Sequence, residues 1–192
     1  IREPERPRRL ARVRGEVEFR GVRFRYPGTE RDVLRDVSFT APAGATVALV
    51  GPTGSGKSTI VALVARLYDP VEGEVLLDGV PVGEIPLLQL RRAIGLVPQD
   101  AFLFSETIAE NIGLGVEGPG TPVDGDADAD VMAPVRAAAS IAQLDEAIAG
   151  FPHGFETRLG ERGINLSGGQ RQRTTLARAL ARDPRILILD DS

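Results

Sequence analysis

The sequence predicts an α/β domain with a mainly parallel sheet and one antiparallel section. Short apolar runs that end in a glycine or a polar residue predict buried strands, and three of them lie at residues 46–50, 94–97 and 186–189. Apolar residues on one helical face predict helices over residues 58–67 and 170–181, between those runs. Residues 17–26 instead alternate apolar and polar side chains, which predicts antiparallel strands. Strands that alternate with helices are typical of an α/β fold.

Composition limits the function. The chain has 192 residues, which suits one domain, and its formal net charge of −4 gives no reason to expect a nucleic-acid binder. It contains no cysteine and one histidine, His153, which excludes disulfides and metal sites built from cysteine or histidine clusters. No stretch approaches the roughly 20 apolar residues that span a membrane. We therefore expect a soluble chain, in which any membrane role comes through a partner or through residues missing from this fragment.

The first half of the chain is predicted to form short elements. Residues 1–15 are rich in arginine and proline, which predicts a solvated linker and excludes a signal peptide. A membrane-surface role for these arginines is the alternative. The antiparallel section continues over residues 33–39, after a turn at Pro27-Gly28. The elements that follow are a strand at 74–77, a turn at Asp78-Gly79 and a short helix at 87–92.

Residues 113–130 differ from the rest of the chain. Glycine, proline and aspartate dominate, with aspartates on alternate positions from Asp124 to Asp130. The spacing suggests a calcium-binding loop, but it lacks the closing glutamate of an EF-hand, and no flanking helix pair is evident. A mobile surface insertion is the favoured interpretation. The alanine-rich residues 131–149 then predict a helix.

The strongest functional signal lies at residues 51–59. An apolar run leads into Gly51-Pro52-Thr53-Gly54-Ser55-Gly56-Lys57-Ser58-Thr59, and a helical pattern follows. Glycines let backbone N–H groups close around phosphates, and the start of a helix favours negative charge. Lys57, the only lysine of the chain, would reach the β- and γ-phosphates, and the Ser58 hydroxyl would bind Mg²⁺. The alternative is a glycine-rich turn that contains Lys-Ser by chance, and the flanking elements disfavour it.

A second set of candidates surrounds the last predicted strand. Asp190 follows residues 186–189, at the carboxyl end where ligands bind in open α/β sheets, and it would bind Mg²⁺. Asp191 would orient or deprotonate the attacking water. For an Asp-Asp pair the alternative is a turn or a helix cap. Upstream, Ser167-Gly168-Gly169 precedes a helix as an N-cap, and such a helix start could also face a phosphate.

Three motifs in this order identify a family. Gly51–Thr59, Leu166–Gln170 and Ile186–Asp190 resemble the Walker A, signature and Walker B motifs of ABC ATPases, and the Leu-Ser-Gly-Gly-Gln match is complete. The resemblance covers the chain from about Val17 to its end. It implies a P-loop NTPase fold with a RecA-like parallel-sheet core, an antiparallel β subdomain and a helical signature subdomain at about 100–168. Residues 16–192 would then form the nucleotide-binding domain.

The resemblance implies further roles. Tyr26 matches the aromatic residue that stacks on adenine, and Gln99 matches the Q-loop glutamine that touches Mg²⁺ and couples the site to a membrane domain. Residues 157–163 resemble the X-loop that marks exporters, and residues 102–112 also look exporter-like. The implied ATP-binding residues are Tyr26, Val33, Gly51 to Thr59 and Gln99; the catalytic ones are Lys57, Gln99 and Asp191; the metal-binding ones are Ser58, Gln99 and Asp190.

Members of this family work as head-to-tail pairs. ATP lies between Walker A of one domain and the signature of the other, so the partner's ATP would be served by Leu166, Ser167, Gly168, Gly169 and Gln170. The resemblance implies ATP and Mg²⁺ as cofactors, a second ABC ATPase domain as homo- or heterodimeric partner, and ATP hydrolysis that powers export. It also implies a transmembrane domain fused at the N-terminus, with residues 1–15 as the linker, and a location at the cytoplasmic face of the cell membrane.

Two departures from the family pattern matter. The residue after the Walker B aspartate is usually glutamate, whereas here it is Asp191, one methylene shorter. A retreat of roughly an ångström from the attacking water costs about 100-fold in rate, so we hypothesise a degenerate site of the kind found in heterodimeric exporters. The sequence also ends at Ser192, before the expected D-loop and switch histidine, and His153 cannot be that residue because it precedes the signature. We expect weak hydrolysis by this fragment and an exposed sheet edge.

Other classes remain open at the level of the sequence. A soluble ABC ATPase that acts on DNA or ribosomes is disfavoured, since no heptads separate Lys57 from Ser167 and the X-loop is present. An importer ATPase would be favoured by a free-standing gene without membrane helices upstream. A further alternative is a nucleotide-dependent structural or regulatory subunit, and this alternative is close to the degenerate-site hypothesis. The sequence settles neither the cargo, which the membrane domain selects, nor homodimer against heterodimer.

Overall fold

The computed structural model describes residues 1–116, 127–163 and 165–190. The chain divides into two compact units, Ile1–Ile94 and Gly95–Ser192. The strands are β1 (Val17–Phe24), β2 (Leu34–Ala41), β3 (Glu72–Leu77), β4 (Val80–Pro81), β5 (Ile94–Val97) and β6 (Ile186–Leu189). The helices are α1 (Lys57–Val64), α2 (Leu87–Arg92), α3 (Ile108–Gly113), α4 (Ala127–Ile141), α5 (Asp145–Ala149) and α6 (Gly168–Leu180), with 3-10 turns at Gly154–Glu156 and Glu161–Gly163.

The first unit is built on a four-stranded antiparallel sheet with the order β2-β1-β3-β4. In β1, Phe19 lies opposite Phe39 of β2 and Val75 of β3. The register shifts between Phe19 and Val22, where Gly21 takes a φ of 56°, so the alternation changes phase and both apolar residues stay buried. The predicted antiparallel section is therefore confirmed.

The strand predicted at residues 46–50 is not found in the described part of the chain. These residues are irregular, and Val50 is 93% exposed. A buried strand needs hydrogen-bonded neighbours along its edges, and none of the described strands pairs with this run. The prediction was wrong because an apolar run specifies a tendency to be buried, whereas the strand exists only where neighbouring backbone pairs with it.

Residues 1–15 are mostly exposed, as a solvated linker would be, and their backbone is also bound at several points by polar side chains of the first unit. The Gln89 side chain exchanges two hydrogen bonds with the backbone of Leu10, at 3.0 and 2.7 Å. The Asp78 carboxylate, on a side chain that is 5% exposed, accepts three successive N–H groups at 2.6, 3.1 and 2.9 Å, from Arg14, Gly15 and Glu16. These bonds satisfy part of the backbone, while most of residues 1–15 stay exposed to solvent.

In the second unit, β5 and β6 form a two-stranded sheet, and the helices pack around an apolar core. The helix predicted at 131–149 is interrupted, since α4 ends at Ile141, Gln143 takes a φ of 56° and α5 begins at Asp145. The break allows residues on both sides of it to pack inward. The larger core residues are Leu103, Ile108, Ile112, Val135, Leu144, Ile148, Leu159 and Leu166.

The acidic insertion is described only in part. Residues 117–126, with Asp124 and Asp126, lie outside the described residues. Residues 127–130 begin α4, so the predicted insertion extends four residues too far. Ala127 and Ala129 are strong helix formers, which explains why the helix starts upstream of residue 131.

Candidate nucleotide-binding site

The loop before α1 is closed by its own lysine. Gly54 and Gly56 take φ values of 81° and 98°, a region that favours glycine. The Lys57 Nζ donates hydrogen bonds to the carbonyl oxygens of Gly51 and Pro52, at 2.8 and 3.2 Å. The ammonium group is thus held by neutral carbonyls at an exposed loop. A phosphate would offer it a stronger, charge-assisted partner.

Two glycines of this loop have close side-chain neighbours. A Cβ on Gly51 would lie 2.7 Å from the Ser55 hydroxyl oxygen, and a Cβ on Gly56 would lie 2.7 Å from a methyl carbon of Leu34. Gly56 is also the N-cap of α1, and no side chain caps this helix. The partial positive charge of the helix start is therefore available to an anion.

Tyr26 lies beside the same helix start. Its hydroxyl group is 2.9 Å from the Oγ1 of buried Thr59, within hydrogen-bonding distance. Its ring meets Phe24 and Tyr68 edge-on, with centroids 5.0 and 5.3 Å apart. A methyl of Val33 lies 3.5 Å from where a Cβ on the N-cap glycine would be. The fold thus brings the aromatic candidate, Val33 and the glycine-rich loop together in the first unit.

The signature residues surround the start of α6. Ser167 is the N-cap, and its Oγ accepts the Gln170 N–H at 3.2 Å while the Gln170 Oε1 accepts the Ser167 N–H at 2.8 Å. Leu166 is buried in the core of the second unit, and Gly168 has open space where a Cβ would stand. An accepting hydroxyl keeps its own hydrogen for another acceptor, so Ser167 is able to donate to a ligand while it caps the helix.

Gln99 and Asp190 follow the ends of two paired strands. β5 ends at Val97 and β6 at Leu189, and the Asp190 N–H donates to the Val97 carbonyl at 2.9 Å. The second unit thus brings two of the candidate metal-binding residues to one region of its sheet. Asp191 lies outside the described residues.

The residues that resemble the X-loop pair with the segment before α3. Thr107 and Arg158 form an isolated antiparallel bridge, and the Leu159 N–H donates to the Glu106 carbonyl at 2.9 Å. The Asn165 side chain accepts from the Gly160 N–H at 3.0 Å and donates to the Arg158 carbonyl at 3.1 Å. This segment therefore leads into the signature as an ordered turn, and His153 lies upstream of it on the surface.

The sequence motifs do not indicate one polar pair of the second unit, although its Asn111 lies in the exporter-like stretch 102–112. Asn111 is fully buried, and Arg178 of α6 hydrogen-bonds to it. The sequence does carry a signal for it, because Asn111 lies three residues after Ile108 and beside Ile112, on the apolar face of a helix. A polar residue on such a face requires partners, and the sequence does not name them.

The glycine-rich loop, its lysine and the flanking aromatic residue define a P-loop nucleotide-binding domain. A family model described as ABC transporter matches residues 34–192. The chain therefore belongs to the ABC transporter family, in which the ATP-binding domain is an ATPase. The P-loop fold with an antiparallel sheet and helical parts is thereby confirmed as that of an ABC ATPase domain.

Proteins similar to this chain include exporters. The chain is 50% identical over 181 residues to the uncharacterized ABC transporter ATP-binding protein YfiB of Bacillus subtilis (strain 168), covering 94% of this chain and 30% of that protein. It is 47% identical over 183 residues to the ATP-dependent lipid A-core flippase of Cupriavidus metallidurans, covering 95% of this chain and 30% of the flippase.

A solved structure of a bacterial Atm1-family ABC exporter with ATP bound superimposes with a TM-score of 0.84 at 42% identity, over 97% of this chain and 30% of the exporter chain. The chain thus spans about 30% of the length of these relatives. In the described ranges, no helix combines the length and apolar character needed to cross a membrane.

Proposed function

We propose that this chain binds MgATP at the interface of a head-to-tail pair of ABC domains and hydrolyses it to power export across a membrane. The observation that carries the proposal is the exporter likeness over almost the whole chain, at 42% identity to a structure described as ATP-bound. The geometry of the first unit supports it, because Lys57 lies across an exposed loop before an uncapped helix. Those are the features that favour a polyphosphate.

Each half of the proposed site has its own task. In the first unit, Tyr26 would hold the adenine, and the loop with Lys57 would bind the phosphates. In the second unit, the α6 start would donate to the partner's ATP through Ser167 and neighbouring backbone N–H groups. A pair of chains related head-to-tail would therefore complete two sites, which supports a second ABC domain as the partner.

The residues proposed for Mg²⁺ fit the chemistry of that ion. Ser58, Gln99 and Asp190 supply a hydroxyl, an amide and a carboxylate oxygen, and Mg²⁺ prefers oxygen ligands. When bound, the ion would neutralise charge on the β- and γ-phosphate oxygens. The β- and γ-phosphates of the nucleotide would supply further oxygen ligands.

The membrane partner is proposed from the relatives. The flippase and the Atm1-family exporter are longer than this chain, and the chain covers 30% of each. We place a transmembrane domain N-terminal to residues 1–15 and the nucleotide-binding domain, residues 16–192, at the cytoplasmic face of the membrane. Asp78 and Gln89 would then fix the linker to the domain, since they bind its backbone at two points.

Asp191 decides how fast the proposed site works. Its carboxylate is shorter than glutamate by one methylene, and a misplaced carboxylate activates water poorly. We propose that this chain contributes a slow, degenerate site beside a partner with a faster one. The test is ATP turnover by the full-length gene product in lipid vesicles, compared with Asp191→Glu and with Asp145→Glu, the same substitution at an exposed aspartate.

Three outcomes are informative. A slow wild type and a gain of about tenfold or more in Asp191→Glu support the degenerate site. Brisk turnover by the wild type alone, without a gain in the variant, indicates a competent Asp191 and a homodimeric exporter. If neither protein hydrolyses ATP, with or without a partner subunit, the proposed ATPase function is refuted.

A further inference from the structure

Arg178 of α6 is held by backbone and amide oxygens of other segments. Its Nε donates to the Asn111 carbonyl at 2.7 Å, its Nη1 to the Phe102 carbonyl at 2.9 Å and its Nη2 to the Asn111 Oδ1 at 2.7 Å. The guanidinium also lies over the Phe104 ring, 5.6 Å from its centroid. Within residues 1–116, 127–163 and 165–190, no carboxylate lies at ion-pair distance from it.

Asn111 completes the cluster from the side of α3. Its Oδ1 accepts the Phe104 N–H at 2.9 Å, and its Nδ2 donates to the carbonyls of Phe104 and Thr107 at 3.0 and 2.9 Å. One fully buried side chain therefore ties the turn before α3 to its own helix, and Arg178 ties both to α6. We call Asn111 and Arg178 the α3–α6 clamp.

Burying the charged guanidinium of Arg178 without a carboxylate partner costs free energy. Burial lowers the pKa of Arg178, which means that its charged form is less well solvated than at the surface. An apolar side chain would avoid that cost but could not reach three acceptors at once. The planar guanidinium fixes the direction of each hydrogen bond, which the point charge of lysine does not. Arg178 therefore contributes by fixing the positions of the three acceptors that it binds.

The clamp lies between two parts of the proposed ATP site. Phe102 follows Gln99 closely in the chain, and Arg178 is about three turns beyond Ser167, the cap of the same helix. A Cβ on Gly115 would collide with the Arg178 carbonyl, so the chain after α3 packs directly on the α6 backbone. Because an α-helix moves as a rigid element, fixing α6 at Arg178 also fixes the position of Ser167.

We propose that Asn111 and Arg178 are positioning residues that hold the segment after Gln99 and the signature helix as one rigid part, so that the signature meets the partner's ATP in register. This inference rests on the proposed function. Neither residue is a catalytic residue, since their bonds run to protein atoms. Loss of the clamp displaces the signature and leaves the nucleotide contacts of the first unit unchanged.

The experiment is a double-mutant cycle in the full-length gene product reconstituted in lipid vesicles, together with its partner subunit if one is needed for turnover. The variants are Arg178→Lys, Ser167→Ala and both together, with Arg185→Lys as control, because Arg185 lies on the surface of the same unit. We expect Arg178→Lys to lower kcat about tenfold and to leave the ADP dissociation constant within about twofold of the wild type. In the Ser167→Ala background the same substitution adds less than about a further twofold loss.

Two results would overturn the clamp: an unchanged kcat in Arg178→Lys, or losses that multiply fully in the double variant. A general loss of folding is distinguished by the ADP affinity, which it would also reduce. If the wild type shows no ATP turnover, the proposed function fails, and hydrogen exchange decides on the clamp separately. Faster exchange in Arg178→Lys at both residues 102–107 and the first turn of α6 supports it, and faster exchange at 102–107 alone refutes it.

Discussion

A glycine-containing turn precedes one helix in each unit, and the two turns prepare their helices in opposite ways. α1 follows Gly56 with no capping side chain, and Lys57 lies back across its own loop. α6 follows Ser167, which forms a reciprocal capping box with Gln170. The start of α1 therefore has no side-chain cap that competes with an anion, whereas at the start of α6 the Ser167 hydroxyl already accepts the Gln170 N–H.

This difference fits the two tasks that we propose. The loop before α1 would hold the chain's own ATP, so its helix start is completed by phosphate. The start of α6 would meet ATP only when a second domain arrives, and it must keep its shape until then. The capping box keeps that shape without a ligand, and it carries the neutral Gln170 where a glutamate would add negative charge near a phosphate.

The largest effect is expected from removal of the lysine. Lys57→Ala deletes the positive charge that faces the phosphates. In the Asp191→Glu background, where this chain's own site is expected to turn over, we expect it to lower the ATP turnover of the full-length gene product about 10²–10³-fold. Turnover in lipid vesicles measures this, with exposed Arg31→Ala as the control. A loss of less than about tenfold would mean that the loop before α1 is not the phosphate site.

Nucleotide is expected to stabilise the open helix start more than the capped one. At about 100 times the dissociation constant, a ligand stabilises the state that binds it by about 2.7 kcal/mol. With MgADP we therefore expect slower amide hydrogen exchange in α1 than without it, and little change in the first turn of α6. Equal protection of both helices would contradict the division of tasks between the two turns.

Removal of either capping box tests whether the signature cap has a role beyond stability. α3 carries a second box, in which Thr107 and Glu110 cap the helix reciprocally. Ser167→Ala and Thr107→Ala are each expected to lower the free energy of unfolding by about 1 kcal/mol, measured by urea denaturation. ATP turnover should fall only in Ser167→Ala. Equal losses of turnover in the two variants would show that both caps have a purely structural role.

The smallest expected effect is that only one of the two capping boxes contributes to stability in a pH-dependent way. Hydrogen bonds from the Thr107 N–H and hydroxyl lower the pKa of Glu110 below its ordinary value of 4.5. Because the folded-state pKa is the lower one, this stabilisation is present above about pH 4.5 and is lost as the pH falls through the folded-state value.

The measurement compares wild type with Glu110→Gln, since glutamine can cap without titrating. We expect the wild type to be slightly more stable near pH 6 and the difference to shrink near pH 3, both by urea denaturation. A difference that is the same at both pH values would show that the charge of Glu110 is not the cause. The Ser167–Gln170 box has no such titration.

Local patterns predicted the elements whose stability is local. The antiparallel section, the helix at 87–92 and the strands at 94–97 and 186–189 are all present. The last strand was predicted to be buried, but its Leu187 and Leu189 are 42% and 54% exposed. The glycine-rich loop was equally predictable, since the φ values of Gly54 and Gly56 favour glycine. Motif order alone was enough to predict the family, and the family match over residues 34–192 confirmed it.

Other features depend on contacts between distant residues. The run at 46–50 is apolar but unpaired in the described structure, and the backbone of the mostly exposed residues 1–15 is also bound by Asp78 and Gln89. The helix break at Gln143 follows from the core on both sides of it. In each case the deciding partner lies elsewhere in the chain, where neither propensity nor periodicity indicates it.

Residue type and short spacing were enough to predict the class of the protein, its candidate ATP residues and most of its elements. Which polar groups meet depended on the fold. It showed Lys57 on its own loop, Tyr26 on Thr59 and Arg178 on Asn111. Hydrogen bonds between residues far apart in sequence require the fold to bring donor and acceptor within about 3 Å, and no local pattern encodes that distance.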